Sequence, residues 1–301
     1  MAGSALRDNA ERSRFEENDM TPRILPVAAA AFSLALFLVP AAFAAEAASP
    51  ADPTLAQAVG GSWRTPDYVQ RDQYRHPLPV LRFFGIRPDM TVVELAPGGG
   101  WWTEILAPYL KAEGQLIETV PPENAKSHMG GMSGRFLAKL KADPALYGKV
   151  KTVPFAPPQV VRLGPPDSAD LVLTFRNLHD WVNDDSAKAV FKAAYEVLKP
   201  GGVFGVTDHR ALPFANGNEA SKALHRLPED FVIQMGLDAG FQLAGVSEVN
   251  ANAKDPMTIN IHHLPPDLAD DTAAEKKKYL AIGESDVFVL KFVKPGAQAG
   301  E

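Results

Sequence analysis

Residues 91–100 read Thr-Val-Val-Glu-Leu-Ala-Pro-Gly-Gly-Gly, and a helix-period stretch from Trp101 to Lys111 follows at once. A strand-type run that breaks into glycines and reopens as a helix permits few architectures. Gly98, Gly99 and Gly100 carry no Cβ, so a ligand can approach the backbone there. The helix that starts beside them offers free N–H groups and a partial positive charge. A dinucleotide turn places a third glycine where this chain has Thr103. The pattern present instead is an acid followed by small residues at every second position, Glu94-x-Ala96-x-Gly98-x-Gly100.

Around this turn, strand-like and helix-like runs alternate. Strands are expected at Thr91–Leu95, Gln115–Val120, Lys149–Val153, Asp170–Phe175, Val203–Thr207, Phe241–Glu248 and Asp286–Val293. Helices are expected at Arg135–Ala142, at Asp184–Leu198 with Lys199-Pro200-Gly201-Gly202 closing it, and at Leu227–Ala239 before Gly240. Such alternation means βαβ crossovers and a doubly wound, largely parallel α/β sheet. Functional residues then follow the carboxyl ends of the strands. Pro121–Gly134 and Asn250–Ser285 read as loop-rich. The second is long enough for a lid or a substrate-binding insertion, with a solvated connection as the other reading.

The N-terminus adds a second constraint. Residues 1–19 are polar, Met20-Thr-Pro-Arg23 follows, and an apolar run from Ile24 to Val39 closes with Ala42-Phe43-Ala44. This is the pattern of a signal peptide, with Met20 as the true start and cleavage after Ala44. It predicts a periplasmic or secreted product, with membrane contact only through an uncleaved signal. Residues 45–54 read as a tether, and 55–301 as a single domain. The 30 Lys and Arg against 36 Asp and Glu leave a net charge of −6, which argues against a nucleic-acid partner. With no cysteine, disulfides, thiolate metal sites and a cysteine nucleophile are excluded.

The motifs in order resemble the class I S-adenosylmethionine-dependent methyltransferases, and within them a bacterial group of predicted methyltransferases, often exported. The carriers are Arg71-Asp72-Gln73-Tyr74-Arg75-His76-Pro77, Glu94 through Leu110, Asp170 through Trp181, Leu198-Lys199-Pro200-Gly201-Gly202, and Phe288 through Phe292. The resemblance implies a Rossmann-like sheet of seven strands, the last antiparallel and inserted beside the fifth, under an N-terminal helical cover. It implies S-adenosyl-L-methionine as cofactor and a small-molecule acceptor. Glu94, Ala96, Pro97, Gly98, Gly99, Gly100, Thr103 and Asn177 would form the cofactor site. Glu118 is the candidate for the ribose hydroxyls, although the family's acid closes the second strand and this chain has Val120-Pro121-Pro122 there.

On the acceptor side stand Asn177 and His179 after the fourth strand and His209 after the fifth. Either histidine could serve as a general base for a hydroxyl or thiol acceptor. Asn177-Leu178-His179-Asp180 lacks the prolines of enzymes that methylate base amines. Tyr74, Arg75 and His76 belong to the cover. His262-His263 lacks metal spacing on a helix face, and no metal is expected. Two other readings of the turn are a non-catalytic exported binding module and, against Thr103, a nicotinamide oxidoreductase.

Overall fold

Seven runs form strands, β1 (Thr91–Leu95), β2 (Gln115–Val120), β3 (Lys151–Pro154), β4 (Ala169–Phe175), β5 (Leu198–His209), β6 (Gln242–Ser247) and β7 (Val287–Val293). They pair in one sheet in the order β3-β2-β1-β4-β5-β7-β6. β7 pairs antiparallel with both β5 and β6, so it runs against the other six. The expected seven-stranded, Rossmann-like α/β architecture with a reversed last strand beside the fifth is therefore present. In this computed structural model residues 53–122, 130–269 and 272–296 are described. The expected signal segment 1–44 and most of the tether lie outside the described residues. No helix among the described residues is long and apolar enough to cross a membrane.

Strand alternation sends successive side chains to opposite faces, and both faces here are covered. Leu171, Leu173, Val92 and Val289 point to one layer, with Leu81 and Phe84 from the cover and Ile105 and Leu106 from the helix Thr103–Leu110. Val172, Val93, Phe204, Phe288 and Phe292 point to the other, against Val190, Phe191 and Val197 of the helix Ala187–Val197. Burial on both sides explains why these strands read as continuous apolar runs.

The cover consists of four short helices, Pro53–Val59, Pro66–Val69, Asp72–Arg75 and Pro77–Phe84. Glu104 ties it to the helix after the turn. The Thr65 N–H donates to Glu104 Oε2 at 2.8 Å, and the Thr65 hydroxyl to Oε1 at 2.6 Å.

Several boundaries differ from the sequence expectation. The helix expected over Asp184–Leu198 is present as Ala187–Val197, starting later than expected; a separate helix, Leu178–Asn183, ends at Asp184 before it, and the Ser186 N–H between them donates to the Asp184 carboxylate. Leu227–Ala239 starts later, at Glu229, because Pro228 sits at its N-cap; a separate helix, Gly217–Leu224, precedes it. The expected loop Pro121–Gly134 runs into a helix that already starts at Gly130. Asn250–Ser285 contains the helix Ala273–Ile282, begun by a reciprocal capping box between Thr272 and Glu275. β5 continues through His209, so Asp208 and His209 are its last residues, paired with Phe288 and Val287, rather than part of a following loop.

Candidate functional site

The sheet order reverses between β1 and β4, and a cleft opens there beyond their carboxyl ends, as expected for such sheets. It has two lobes that share Ala96, Pro97, Gly98 and Asn177. The first, about 210 Å³, is walled mainly by apolar residues, among them Phe136, Phe155, Pro157 and Trp181. The second, about 360 Å³, is lined by Tyr68, Arg71, Arg75, Arg176, Glu94 and His209, among others.

The glycine turn divides the lobes. Ala96, Gly98 and Gly100 have φ of 49°, 60° and 84°, in the left-handed region that glycine tolerates best. Ala96 is held there by its N–H, which donates to Thr119 Oγ1 at 2.7 Å. A side chain on Gly99 would put its Cβ 2.4 Å from the Tyr68 hydroxyl, which donates to the Gly99 carbonyl at 3.1 Å. The Asn177 amide donates to the carbonyls of Leu95 and Ala96 at 3.2 and 3.3 Å. Asn177 thus braces the strand end and lines both lobes.

Glu94 borders the polar lobe, although it is only 1% exposed. In the parallel pairing of β1 and β2 its partner is Glu118, so two carboxyls lie side by side in the interior. Glu118 is fully buried. Expected at the ribose, it lines neither lobe; Thr119 and Val120 line the apolar lobe at that point. Burial lifts the Glu94 carboxyl to about 7, against the hydrogen bond with Glu118 and that of Thr103. Burial and the adjacent Glu94 push Glu118 well above the carboxylate range. At neutral pH the pair therefore still holds protons between its members. Thr103, expected at the cofactor, stands behind Glu94 and donates to its Oε2 at 3.2 Å.

A raised carboxyl pKa binds protons in the folded state that the unfolded chain has released. Stability from this pair is therefore full below pH 4.5 and falls as pH rises through about 7, by about 3 kcal/mol. Glu118→Gln removes one acid and gives Glu94 an amide donor. Urea unfolding between pH 5 and 8 should show this decline in the wild type and a flatter profile in the variant. Parallel profiles would rule out a shared proton.

Three arginines gather at the other side of the polar lobe around one acid. Glu284, 2% exposed, takes Arg71 Nε at 2.5 Å and Arg176 Nη1, with Arg75 Nε at 3.7 Å. Burial acts to raise the Glu284 carboxyl, but Arg176, Arg71 and Arg75 overrule it and hold it at about 2. Burial, with Arg176 and Arg71 alongside, draws the Arg75 guanidinium well below its ordinary value. Three cations facing one anion leave positive charge directed into the lobe. The sequence reading flagged Arg75 and Arg176 only as members of motifs and missed Glu284.

The histidines form a separate group. The Asp208 carboxylate, fully buried, accepts from the backbone N–H and Nδ1–H of His179 at 3.0 and 2.8 Å and from the His209 N–H at 2.7 Å. His179 is buried and lines neither lobe, so it stands behind the cleft wall rather than on it. Burial works against its charge, but Asp208 outweighs that and raises its pKa. His209 does line the polar lobe and pairs through Nδ1 with Ser285 Oγ. Burial, then Arg176 and His179, hold it well below the ordinary imidazole range. His76 bonds Asn250 at 3.0 Å and stays with the cover.

No protein-family model matches the chain. No curated protein matches it by sequence. Solved structures do. A SAM-dependent methyltransferase from Aquifex aeolicus aligns over 80% of this chain and 98% of its own, at 15% identity and a TM-score of 0.51. Phosphoethanolamine N-methyltransferase 2 of Haemonchus contortus, in complex with phosphomonomethylethanolamine and S-adenosylhomocysteine, aligns over 74% of this chain and 53% of its own, at 15% identity and 0.51. The 4+2 cyclase SpnF aligns over 81% and 93%, at 14% identity and 0.52. At 14–15% identity these likenesses show the architecture alone, and the chain has the fold of the class I S-adenosylmethionine-dependent methyltransferases.

Proposed function

We propose that this chain is an S-adenosylmethionine-dependent methyltransferase acting on a small-molecule acceptor. The observation that carries the reading is the two-lobed cleft around the turn Ala96–Gly100. Its residues fit the cofactor by chemistry. Phe155, Pro157 and Trp181 give an apolar slot for an adenine ring. Gly98, with positive φ and no side chain, lets the linking atoms lie against the backbone. Glu94 can accept from an ammonium group, and Arg71, Arg75 and Arg176 can receive a carboxylate.

When bound, this cofactor supplies an electrophilic methyl group on a sulfonium. What the chain adds is position and exclusion of water, which suffice for much of the rate of such a displacement. Asn177 fixes the floor. His209, with Nδ1 engaged by Ser285, keeps Nε2 for a proton lost by a hydroxyl or thiol acceptor. His179, behind the wall, is less well placed for that role than the sequence suggests.

Calorimetry with S-adenosylmethionine and S-adenosylhomocysteine tests the reading, and binding of both at one site per chain is expected. Absence of heat with both would remove it. A cyclase on this fold is a reminder that the architecture alone fixes no reaction. The export reading stands beside this as a proposal of its own, and a secreted product beginning at Ala45 would support it.

A further inference from the structure

The adjacent His262 and His263 lack the spacing of metal ligands on a helix face. The fold brings together donors from other segments. Asp180 Oδ1 lies 3.6 Å from His179 Nε2 and 3.8 Å from His225 Nδ1, and one ligand atom from each of the three residues lies within 4.8 Å of the others. Bonds of about 2.0–2.1 Å in tetrahedral arrangement put ligand atoms roughly 3.3 Å apart. The two contacts of Asp180 therefore need to close by only a few tenths of an ångström around an ion, and the two imidazoles, within 4.8 Å of each other, by up to about 1.5 Å.

Each donor is prepared for that role. Asp208 takes the Nδ1–H of His179, which fixes the tautomer and leaves the Nε2 lone pair toward Asp180. A carboxylate behind a ligating imidazole is a recurrent support of metal sites. His225 Nδ1 is buried without a hydrogen-bond partner. The His225 backbone has φ 55°, a costly conformation held from both sides. Before it, Ser221 of the helix Gly217–Leu224 donates to the His179 carbonyl at 2.7 Å. After it, the fully buried Arg226 is clamped by Asp255 at 2.8 and 3.1 Å and by the Ile259 carbonyl at 2.7 Å. A second group of His179, Asp208 and His209 also converges. There, however, Asp208 already accepts three hydrogen bonds and His209 is paired with Ser285, so its donors are committed.

We propose that His179, Asp180 and His225 form a site for one first-row divalent cation of the zinc or cobalt type. Two imidazoles and a carboxylate select such ions over magnesium or calcium, which prefer all-oxygen sites. Three protein ligands leave at least one coordination position open. Asp180 also lines the apolar lobe, so the site borders the cleft. The assignment stands on side-chain geometry alone and is independent of the cofactor reading.

Co2+ titration of the untagged full chain tests it, by visible absorption and calorimetry, with Zn2+ content measured after dialysis and Mg2+ as the negative control. One Co2+ per folded chain is expected, displaced by Zn2+. His225→Gln and Asp180→Asn alter partly or largely exposed side chains, and each should weaken binding at least tenfold. Zn2+ should raise the thermal midpoint of the wild type and not of either variant. His262→Gln changes a ring that packs against His225 without belonging to the donor set, and should weaken binding far less. No stoichiometric Co2+ or Zn2+ on the wild type, or unchanged affinity in both folded variants, overturns the assignment.

Discussion

Glu284→Gln is expected to lower the stability of the chain by about 3 kcal/mol at pH 7, a loss read in urea or thermal unfolding. Gln keeps the shape and an acceptor oxygen but no charge. Arg71, Arg75 and Arg176 then face one another around a neutral group, in a place where Glu284 is almost wholly buried. A carboxyl held at about 2 against 4.5 for the unconstrained group corresponds to the same size of effect. The sign follows from the depressed value. The contribution is complete above pH 4.5 and is lost as pH falls toward 2. Wild type and variant should thus differ most near neutrality and converge in strong acid. Equal stability at pH 7 would show that solvent already screens these three cations.

The second large effect concerns the turn. Gly98→Val should reduce affinity for S-adenosylhomocysteine at least 100-fold, which is about 2.7 kcal/mol. Two causes add. A β-branched residue at φ 60° costs roughly 1–2 kcal/mol of backbone energy. Its side chain would also stand where both lobes meet, since Gly98 lines each of them. Gly98→Ala separates folding from binding. It carries the same conformational cost with far less bulk, and a loss of about tenfold is expected, with both variants checked by circular dichroism. Unaltered affinity in folded Gly98→Val would place the ligand elsewhere.

Much of the fold could be read from the chain because the sheet is covered on both faces. Runs such as Leu171-Val172-Leu173 have no polar residue to confuse the pattern. Glu94, Ala96, Gly98 and Asn177 were also legible, because local turn chemistry and position after a strand single them out. What escaped was set by register and by distance along the chain. Glu118 reads as the second strand's candidate for the ribose, two residues short of the strand end. Only the pairing of β1 with β2 shows that it lies beside Glu94 and faces inward. Glu284 is 213 residues from Arg71 and 108 from Arg176. The helix Ala273–Ile282 did carry a local signal, the Thr272-x-x-Glu275 cap, which a loop-rich surrounding obscured. The helices Leu178–Asn183 and Gly217–Leu224 went unread, and the helices that follow them start later than expected, because periodicity alone registers neither a left-handed residue nor an N-cap.

The paired acids beneath the turn have a consequence for how a ligand is taken up. A cation arriving beside Glu94 favours the charged carboxylate, so the proton that burial holds on Glu94 up to about pH 7 leaves as the ligand enters. Uptake of a positively charged molecule in this cleft is then an exchange of one cation for another. It tightens as the medium becomes more alkaline through neutrality, and its measured heat changes with the ionisation enthalpy of the buffer. The interior carboxyl that ordinarily burdens the fold becomes, on binding, the group that gives up its proton to the solvent.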